Sequence, residues 1–215
     1  LCTRETCAWH QAELVQFDFY LKNMSLPRSI LFVDGENLCM RYQDMLKAGG
    51  TPRPGVSYRP DTFVWHDRVT RNNVFQLCKI VRVCYYTSVV GDETRVVDVK
   101  RELSQIAFES RGDDGAMRGR IVPSVFKKQA RSKKTRNVDI QIVIDIMRYA
   151  FTDEIERVYL ASGDGDYLPL INEVMRRGKQ VELLALSSGL NAALPYSVDN
   201  FHSLDDVFFG TDTDN

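Results

Sequence analysis

Short unbroken apolar runs punctuate this 215-residue chain, and between them lie longer segments whose apolar positions recur at helical spacing. Ser29–Val33 (SILFV), Ile80–Tyr86 (IVRVCYY), Arg120–Phe126, Arg157–Ala161 and Gln180–Leu186 (QVELLAL) have the β-branched and aromatic content of strands. Glu36–Lys47 has helix composition and stops at Gly49-Gly50. In Asp92–Ser110 the apolar residues Val96, Val99, Leu103 and Ile106 are spaced by three and four, which predicts one amphipathic helix. Asn137–Phe151 (NVDIQIVIDIMRYAF) is apolar nearly all round, which predicts a largely buried helix. Further helices are expected at Arg71–Cys78, Asp166–Arg177 and Ser188–Tyr196, with a Pro- and Gly-rich loop at 51–61. Strands that read as continuous apolar runs and alternate with helices imply a parallel sheet covered on both faces. The predicted fold is therefore one α/β domain, a three-layer α/β/α sandwich around a mainly parallel sheet of about five strands. Met24 precedes SLPRSILFVDG and reads as a natural start. Residues 1–23 are accordingly left out of the fold argument as an N-terminal extension, either genuine or not native to the protein, the domain is placed at 24–210, and 211–215 are expected to fray.

Composition narrows the class. With 44% hydrophobic and 27% charged residues, wholesale disorder is excluded. No stretch approaches the ~20 apolar residues of a spanning helix, so no membrane partner is expected. Five cysteines without a CxxC pair, and only three histidines, exclude zinc-finger spacing and point to a reduced, cytoplasmic setting.

The net charge of -1 hides a strong asymmetry. Residues 1–136 carry 23 Lys+Arg against 15 Asp+Glu, whereas residues 137–215 carry 5 against 14. Arg118, Arg120, Lys127, Lys128, Arg131, Lys133, Lys134 and Arg136 form a tract without an acid. Such a tract is either a solvated loop or a surface for a polyanion, and its ending three residues before Asp139 favours the second. Lys127, Lys128, Arg131, Lys133, Lys134 and Arg136 are thus candidate phosphate contacts. Arg53, Tyr58 and Arg59 in the 51–61 loop add charge and stacking surface suited to single strands.

The acids carry the chemistry. Asp34 ends the first strand in V-D-G-E-N, Asp164 and Asp166 follow the Arg157–Ala161 strand in S-G-D-G-D, and Asp139 lies in the first turn of a helix. Capping and turn formation account for any one of them. The set is different, because a parallel sheet brings strand ends to one edge, where ligand sites form. Carboxylates gathered there repel unless protons or cations compensate, and an oxygen-only donor set suits Mg²⁺ or Mn²⁺. One or two such ions can activate water for phosphodiester cleavage.

Three elements in this order, the D-x-x-N of Asp34–Asn37, the N-V-D of Asn137–Asp139 and S-G-D-G-D-Y at 162–167, resemble the NYN domain, in the LabA/DUF88-like branch of the PIN-like nuclease superfamily. The resemblance runs from about Ile30 to Leu186. It implies a PIN-like sandwich and a metal-dependent ribonuclease with Asp34, Asp139, Asp164 and Asp166 as the acidic, metal-binding site. It also implies that Asn37 orients the Asp34 carboxylate or contacts substrate, and that Ser162 lines the site. Tyr167 stands where the family often has Phe and is read as packing. Dinucleotide and P-loop sites lack their glycine motifs here, and no Ser or Cys has a convincing His partner; His66 and His202 are read as surface or packed residues. The expected function is a metal-dependent endoribonuclease acting on single-stranded or loop RNA, compatible with a homodimer. The alternatives are a non-catalytic RNA-binding module retaining the acidic pocket, and a phosphatase for small phosphate esters, for which the basic tract would be useless.

Overall fold

In the computed structural model of the chain, the structure describes residues 26–71, 78–112, 115–128 and 136–210. Strand β1 (Arg28–Asp34) is buried from Ser29 onward and occupies an interior position in the sheet. It is followed at once by helix α1 (Gly35–Lys47), then by a hairpin of β2 (Ser57–Arg59) and β3 (Phe63–Trp65). After β4 (Lys79–Val90) come helix α2 (Glu93–Gln105), a second hairpin of β5 (Ala107–Gly112) and β6 (Gly115–Arg120), and strand β7 (Val122–Lys128). Helix α3 (Arg136–Ala150), β8 (Arg157–Ala161), α4 (Leu168–Arg176), β9 (Gln180–Ala185), β10 (Asn200–Ser203) and a helical turn at Asp205–Phe208 follow. The main sheet has six strands in the order β10-β9-β8-β1-β4-β7, and every pairing in it is parallel. From β1 the chain builds outward through β4 to β7, then returns to the other side of β1 for β8, β9 and β10. The strand order therefore reverses between β1 and β8, which makes their carboxyl ends the crevice for a ligand.

Alternation along β1 divides the core in two. Leu31 and Val33 pack with Leu38 and Tyr42 of α1 and with Val99 and Leu103 of α2. Ile30 and Phe32 pack with Val138, Ile142 and Ile146 of α3 and with Ile171 and Val174 of α4. This is the expected three-layer sandwich, similar to the PIN-like arrangement. No helix among the described residues is long and apolar enough to cross a membrane.

Several expectations need correction. Helix α3 is not buried all round: Val138, Ile142, Ile146 and Ala150 form one inward stripe at every fourth position, while Ile140 and Ile144 are exposed. The helix expected over Asp92–Ser110 ends at Gln105, because Ile106 turns extended and Ala107–Gly112 pairs with β6. Gly119 makes that hairpin pack, since a Cβ there would lie 2.5 Å from the Phe108 ring. Strand β4 runs past Tyr86 through Thr87 and Ser88, whose hydroxyls are taken up by the Thr62 carbonyl and by Glu36. A sixth strand, β10, completes the sheet; its polar Asn200 and His202 both bind Glu182 of β9, at 3.1 and 2.9 Å. Of the Ser188–Tyr196 segment only Leu194–Tyr196 forms a helical turn. Of Arg71–Cys78, residue 71 closes a helical turn that begins at Arg68, and 72–77 lie outside the described residues, as do 1–25 and 211–215.

Arg53, Tyr58 and Arg59 of the 51–61 segment do not form the open charged and stacking surface expected. Arg53 is buried and donates to the Asp206 carbonyl at 3.0 Å, Tyr58 packs on Tyr42 with ring centroids 5.0 Å apart, and Arg59 pairs with Glu102 at 2.5 Å. These three residues close the fold instead. His66 is buried, with Nε2 against the Pro54 carbonyl and Nδ1 accepting from the Arg68 amide, so it too is structural. Cys39, Cys78 and Cys84 are buried thiols, and burial pushes Cys39 up to about 12, well out of the reactive range.

Candidate active site

The first strand delivers Asp34 to the crevice, and the backbone then turns directly into α1. Asp34 caps that helix: its Oδ1 accepts the Asn37 amide at 3.0 Å. Its Oδ2 accepts the Ser162 hydroxyl at 3.0 Å and the Tyr167 hydroxyl at 3.3 Å, both from the segment after β8. The Asn37 side chain locks the same junction, its Oδ1 accepting the Gly163 amide at 3.0 Å. Ser162 in turn accepts the Asp164 amide at 3.2 Å, and Asp164 Oδ1 accepts the Asp166 amide at 3.0 Å. Three motifs far apart in sequence thus meet in one hydrogen-bonded knot.

Tyr167 is more than packing. Its hydroxyl lies 3.3 Å from Asp34 Oδ2 and 3.3 Å from Asp139 Oδ1, so it stands between two carboxylates arriving from different elements. Burial, with the charge of Asp34 and Asp139 beside it, drives its acidity down so far that the phenol stays a donor. Asp34 itself is 1% exposed, and burial, reinforced by Asp139 and Glu36, holds its carboxyl up at about 7 despite the Asn37 and Ser162 bonds. Tyr167→Phe should leave the fold intact but lower the melting temperature of metal-free protein by a few degrees, since it removes a hydroxyl donated to charged oxygens. An unchanged melting curve would reduce Tyr167 to packing.

A cleft of about 410 Å³ opens beside Asp34 and Asp164 and extends along α1 towards the loop between β2 and β3. Glu36, unassigned from sequence, lines it. Glu36 Oε1 accepts from Ser88 and from Lys128 Nζ at 3.1 Å, while its buried Oε2 has no hydrogen-bond partner. The signal was available: Glu36 lies in the first turn of a helix that begins at a candidate acid, but a first-turn Glu is so common a helix feature that it carried no weight.

The structure brings Asp34, Asn37, Ser162, Asp139 and Asp164 together. Asp166 is exposed at the start of the turn leading into α4 and does not line the cleft. Of the basic tract, Lys128 lines the cleft, whereas Lys127 is half-exposed and pairs with Glu93 at 3.5 Å. Arg136 opens α3, and Arg131, Lys133 and Lys134 lie outside the described residues.

The donor chemistry suits a hard divalent cation. The carboxylates are in excess of cations, Asp34 holds a proton up to near neutrality, and one buried carboxylate oxygen of Glu36 is unpartnered. Among the described residues no three such side chains already stand together at ligating range, so binding an ion would require side-chain movement.

Comparison with known proteins bears on the fold and the family. Among solved structures, the chain is similar to a protein of unknown function, VPA0982 from Vibrio parahaemolyticus RIMD 2210633, with a TM-score of 0.54 and 19% identity over 86% of this chain and 98% of that one. That likeness concerns the fold alone. No curated protein matches the chain. The model of the NYN domain matches residues 28–205, a span that runs from β1 to the end of the sheet and contains every residue of the knot. The chain belongs to the NYN domain family.

Proposed function

We propose that this chain is a divalent-metal-dependent endoribonuclease of the LabA/DUF88-like branch, acting on single-stranded or loop RNA. NYN domains are in general nucleases, and the family membership supports that class of chemistry. The observation that carries the reading is the buried Asp34 carboxyl at the switch point, held by Ser162, Tyr167 and the Asn37 amide and pressed by Asp139. A carboxyl built so firmly into a position where its charge is disfavoured makes sense when a cation arrives to replace its proton.

Asp34, Asp139 and Asp164 would hold Mg²⁺ or Mn²⁺, with Glu36 Oε2 as a further acceptor for a metal-bound or phosphate-side proton donor. Such an ion supplies a lowered water pKa and charge neutralisation at phosphorus. The protein's own part is positional. Ser162 and Asn37 fix Asp34 against β8, Tyr167 keeps Asp34 and Asp139 at one separation, and Lys128 offers a cation to a phosphate entering the cleft. Asp166 serves the turn through its amide, and its exposed side chain would take an outer role.

Labelled single-stranded RNA incubated with Mn²⁺, Mg²⁺ or EDTA tests the reading. Cleavage with either metal and none with EDTA is expected; tight RNA binding without cleavage under any metal would make the domain a non-catalytic RNA-binding module. The two described lysines should separate. Lys127→Ala should weaken affinity slightly and flatten the slope of log affinity against log salt by roughly 0.7, leaving the rate at saturating RNA unchanged. Lys128→Ala should lower that saturated rate about tenfold or more, because it removes the cleft's cation and leaves Glu36 uncompensated. Equal effects of the two substitutions would contradict a catalytic-cleft role for Lys128.

A further inference from the structure

The cleft continues away from the carboxylates into a region that phosphodiester chemistry does not use. Its walls there are Cys39, Met40, Thr62 and Val90, and its far end is Gln43 with Asp61. Met40 is 46% exposed and Val90 45% exposed, so two large apolar side chains stand open to solvent beside an otherwise charged site. The Thr62 hydroxyl donates its proton to the Pro60 carbonyl at 3.0 Å, so it has no donor left for a ligand. A flat aromatic ring is the kind of ligand such a slot accepts, and a thioether such as Met40 packs well on one.

The far end is chemically selective. Gln43 Nε2 donates to Asp61 Oδ1 at 3.1 Å. A carboxylate accepts only, so this bond fixes which way the Gln43 amide is turned. With one Gln43 N–H so engaged, the pair still offers two acceptors, Gln43 Oε1 and Asp61 Oδ2, beside the second N–H of the Gln43 amide. Asp61 is also the only non-glycine residue among those described with a positive φ, 54°. The chain holds a carboxylate there in a conformation that most residues avoid.

We propose that this end of the cleft is a base-binding subsite that selects guanine next to the scissile phosphate of an RNA strand, with Met40 and Val90 flanking the ring and Gln43 and Asp61 reading its edge. The inference rests on the ribonuclease reading for the identity of the strand, and on the slot alone for the base. Guanine presents two adjacent donors on its Watson–Crick edge, N1–H and N2–H₂, which match two acceptors. Uracil offers one donor between two carbonyls, and adenine and cytosine each offer one amino group beside an acceptor, so each would set an acceptor against an acceptor. Unstacked bases of single-stranded RNA are commonly read on this edge.

Fluorescence anisotropy in EDTA, where cleavage does not intervene, tests it with five-nucleotide RNAs carrying one guanosine, inosine or adenosine in a uridine background. The guanosine RNA should bind about tenfold more tightly than the inosine RNA, which lacks only the 2-amino group, and than the adenosine RNA. Asp61→Asn, which tolerates the same backbone, should shrink that ratio to about twofold or less. Met40→Ala should weaken all three RNAs while keeping the ratio. No discrimination by the wild type, discrimination unaltered in Asp61→Asn, or GMP binding as tightly as the guanosine RNA would each overturn the proposal. A protein that discriminates guanosine but never cuts RNA with metal would sink the nuclease reading and leave the subsite standing; one that cuts without base preference would do the reverse.

Discussion

Asp34→Asn should abolish RNA cleavage and, at pH 8 without metal, make the protein melt at a higher temperature than the wild type. The Asp34 carboxyl sits at about 7 in the folded chain against 3.8 for the free group, chiefly through burial and then through Asp139 and Glu36. A carboxyl raised on folding contributes stability that is whole below its unfolded value and is lost as pH climbs through its folded value. Between pH 4 and pH 7 this one group should therefore cost the metal-free wild type up to about 4 kcal/mol, on the order of 10 °C in melting temperature for a chain this size. Asparagine has the same shape and can still accept the Asn37 amide, but it has no charge to bury. Melting curves of both proteins in EDTA from pH 4 to pH 8 should converge at the acid end and separate at the alkaline end. Added Mn²⁺ should narrow the gap at pH 8 by stabilising the wild type. Parallel curves at every pH, or a variant that still cleaves, would remove Asp34 from the centre of the site.

Gly35→Ala should be the most damaging single methyl in the domain. A Cβ at Gly35 would stand 2.2 Å from Tyr85 Cε1 and 2.7 Å from the Tyr86 carbonyl oxygen. Neither can give way. The Tyr85 hydroxyl is hydrogen-bonded to both the amide and the carbonyl of Val64 at 3.1 Å, and the Tyr86 backbone is in register with Asp34 across the β1–β4 ladder. Overpacking of this sort costs about 1–3 kcal/mol or more, and here the displaced residues are Asp34, Glu36 and Asn37, so activity should fall with stability. Gly165→Ala is the control. Its Cβ would meet Asn191 Nδ2 at 2.2 Å and Cγ at 2.8 Å, but both belong to one side chain that can swing aside at the cost of its bond from the Ala193 amide. Soluble yield, melting temperature and cleavage rate compared for the two alanines check the argument; similar losses in both would refute it.

The interior strands were legible because burial on both faces leaves an unbroken apolar signature, as in SILFV and QVELLAL. The edges were not. Strand β10 is NFHS, whose stability in the sheet comes from bonds to Glu182 that no composition announces. The end of α2 was masked because Ile106 continues the helical spacing of Val96, Val99 and Leu103 while itself turning extended and leading into the strand after it. For α3, counting apolar residues hid the stripe: only every fourth one faces the sheet. At the site, the strand-end rule was enough to gather Asp34 and Asp164, because chain direction decides where those residues emerge. It could not reveal Tyr167, whose hydroxyl matters only by its distance from two carboxylates, or Glu36, whose role depends on Lys128 across 92 residues of sequence.

The bond from Ser162 to Asp34 spans 128 residues, and it joins the first strand laid down in the sheet to a strand from its second half. During synthesis β1 must wait for β8 and the segment after it to emerge before Asp34 Oδ2 acquires its partners, since neither α1 nor β4 supplies Ser162 or Tyr167. A chain interrupted anywhere before residue 162 carries Asp34 and its Asn37 amide but neither of the hydroxyls that hold Oδ2. An enzyme that attacked RNA as a nascent fragment would threaten the message and the ribosome producing it. On the nuclease reading proposed above, splitting the centre across the topological switch would tie its appearance to near-completion of the domain, so that the order of strands in space would act as a timer during translation.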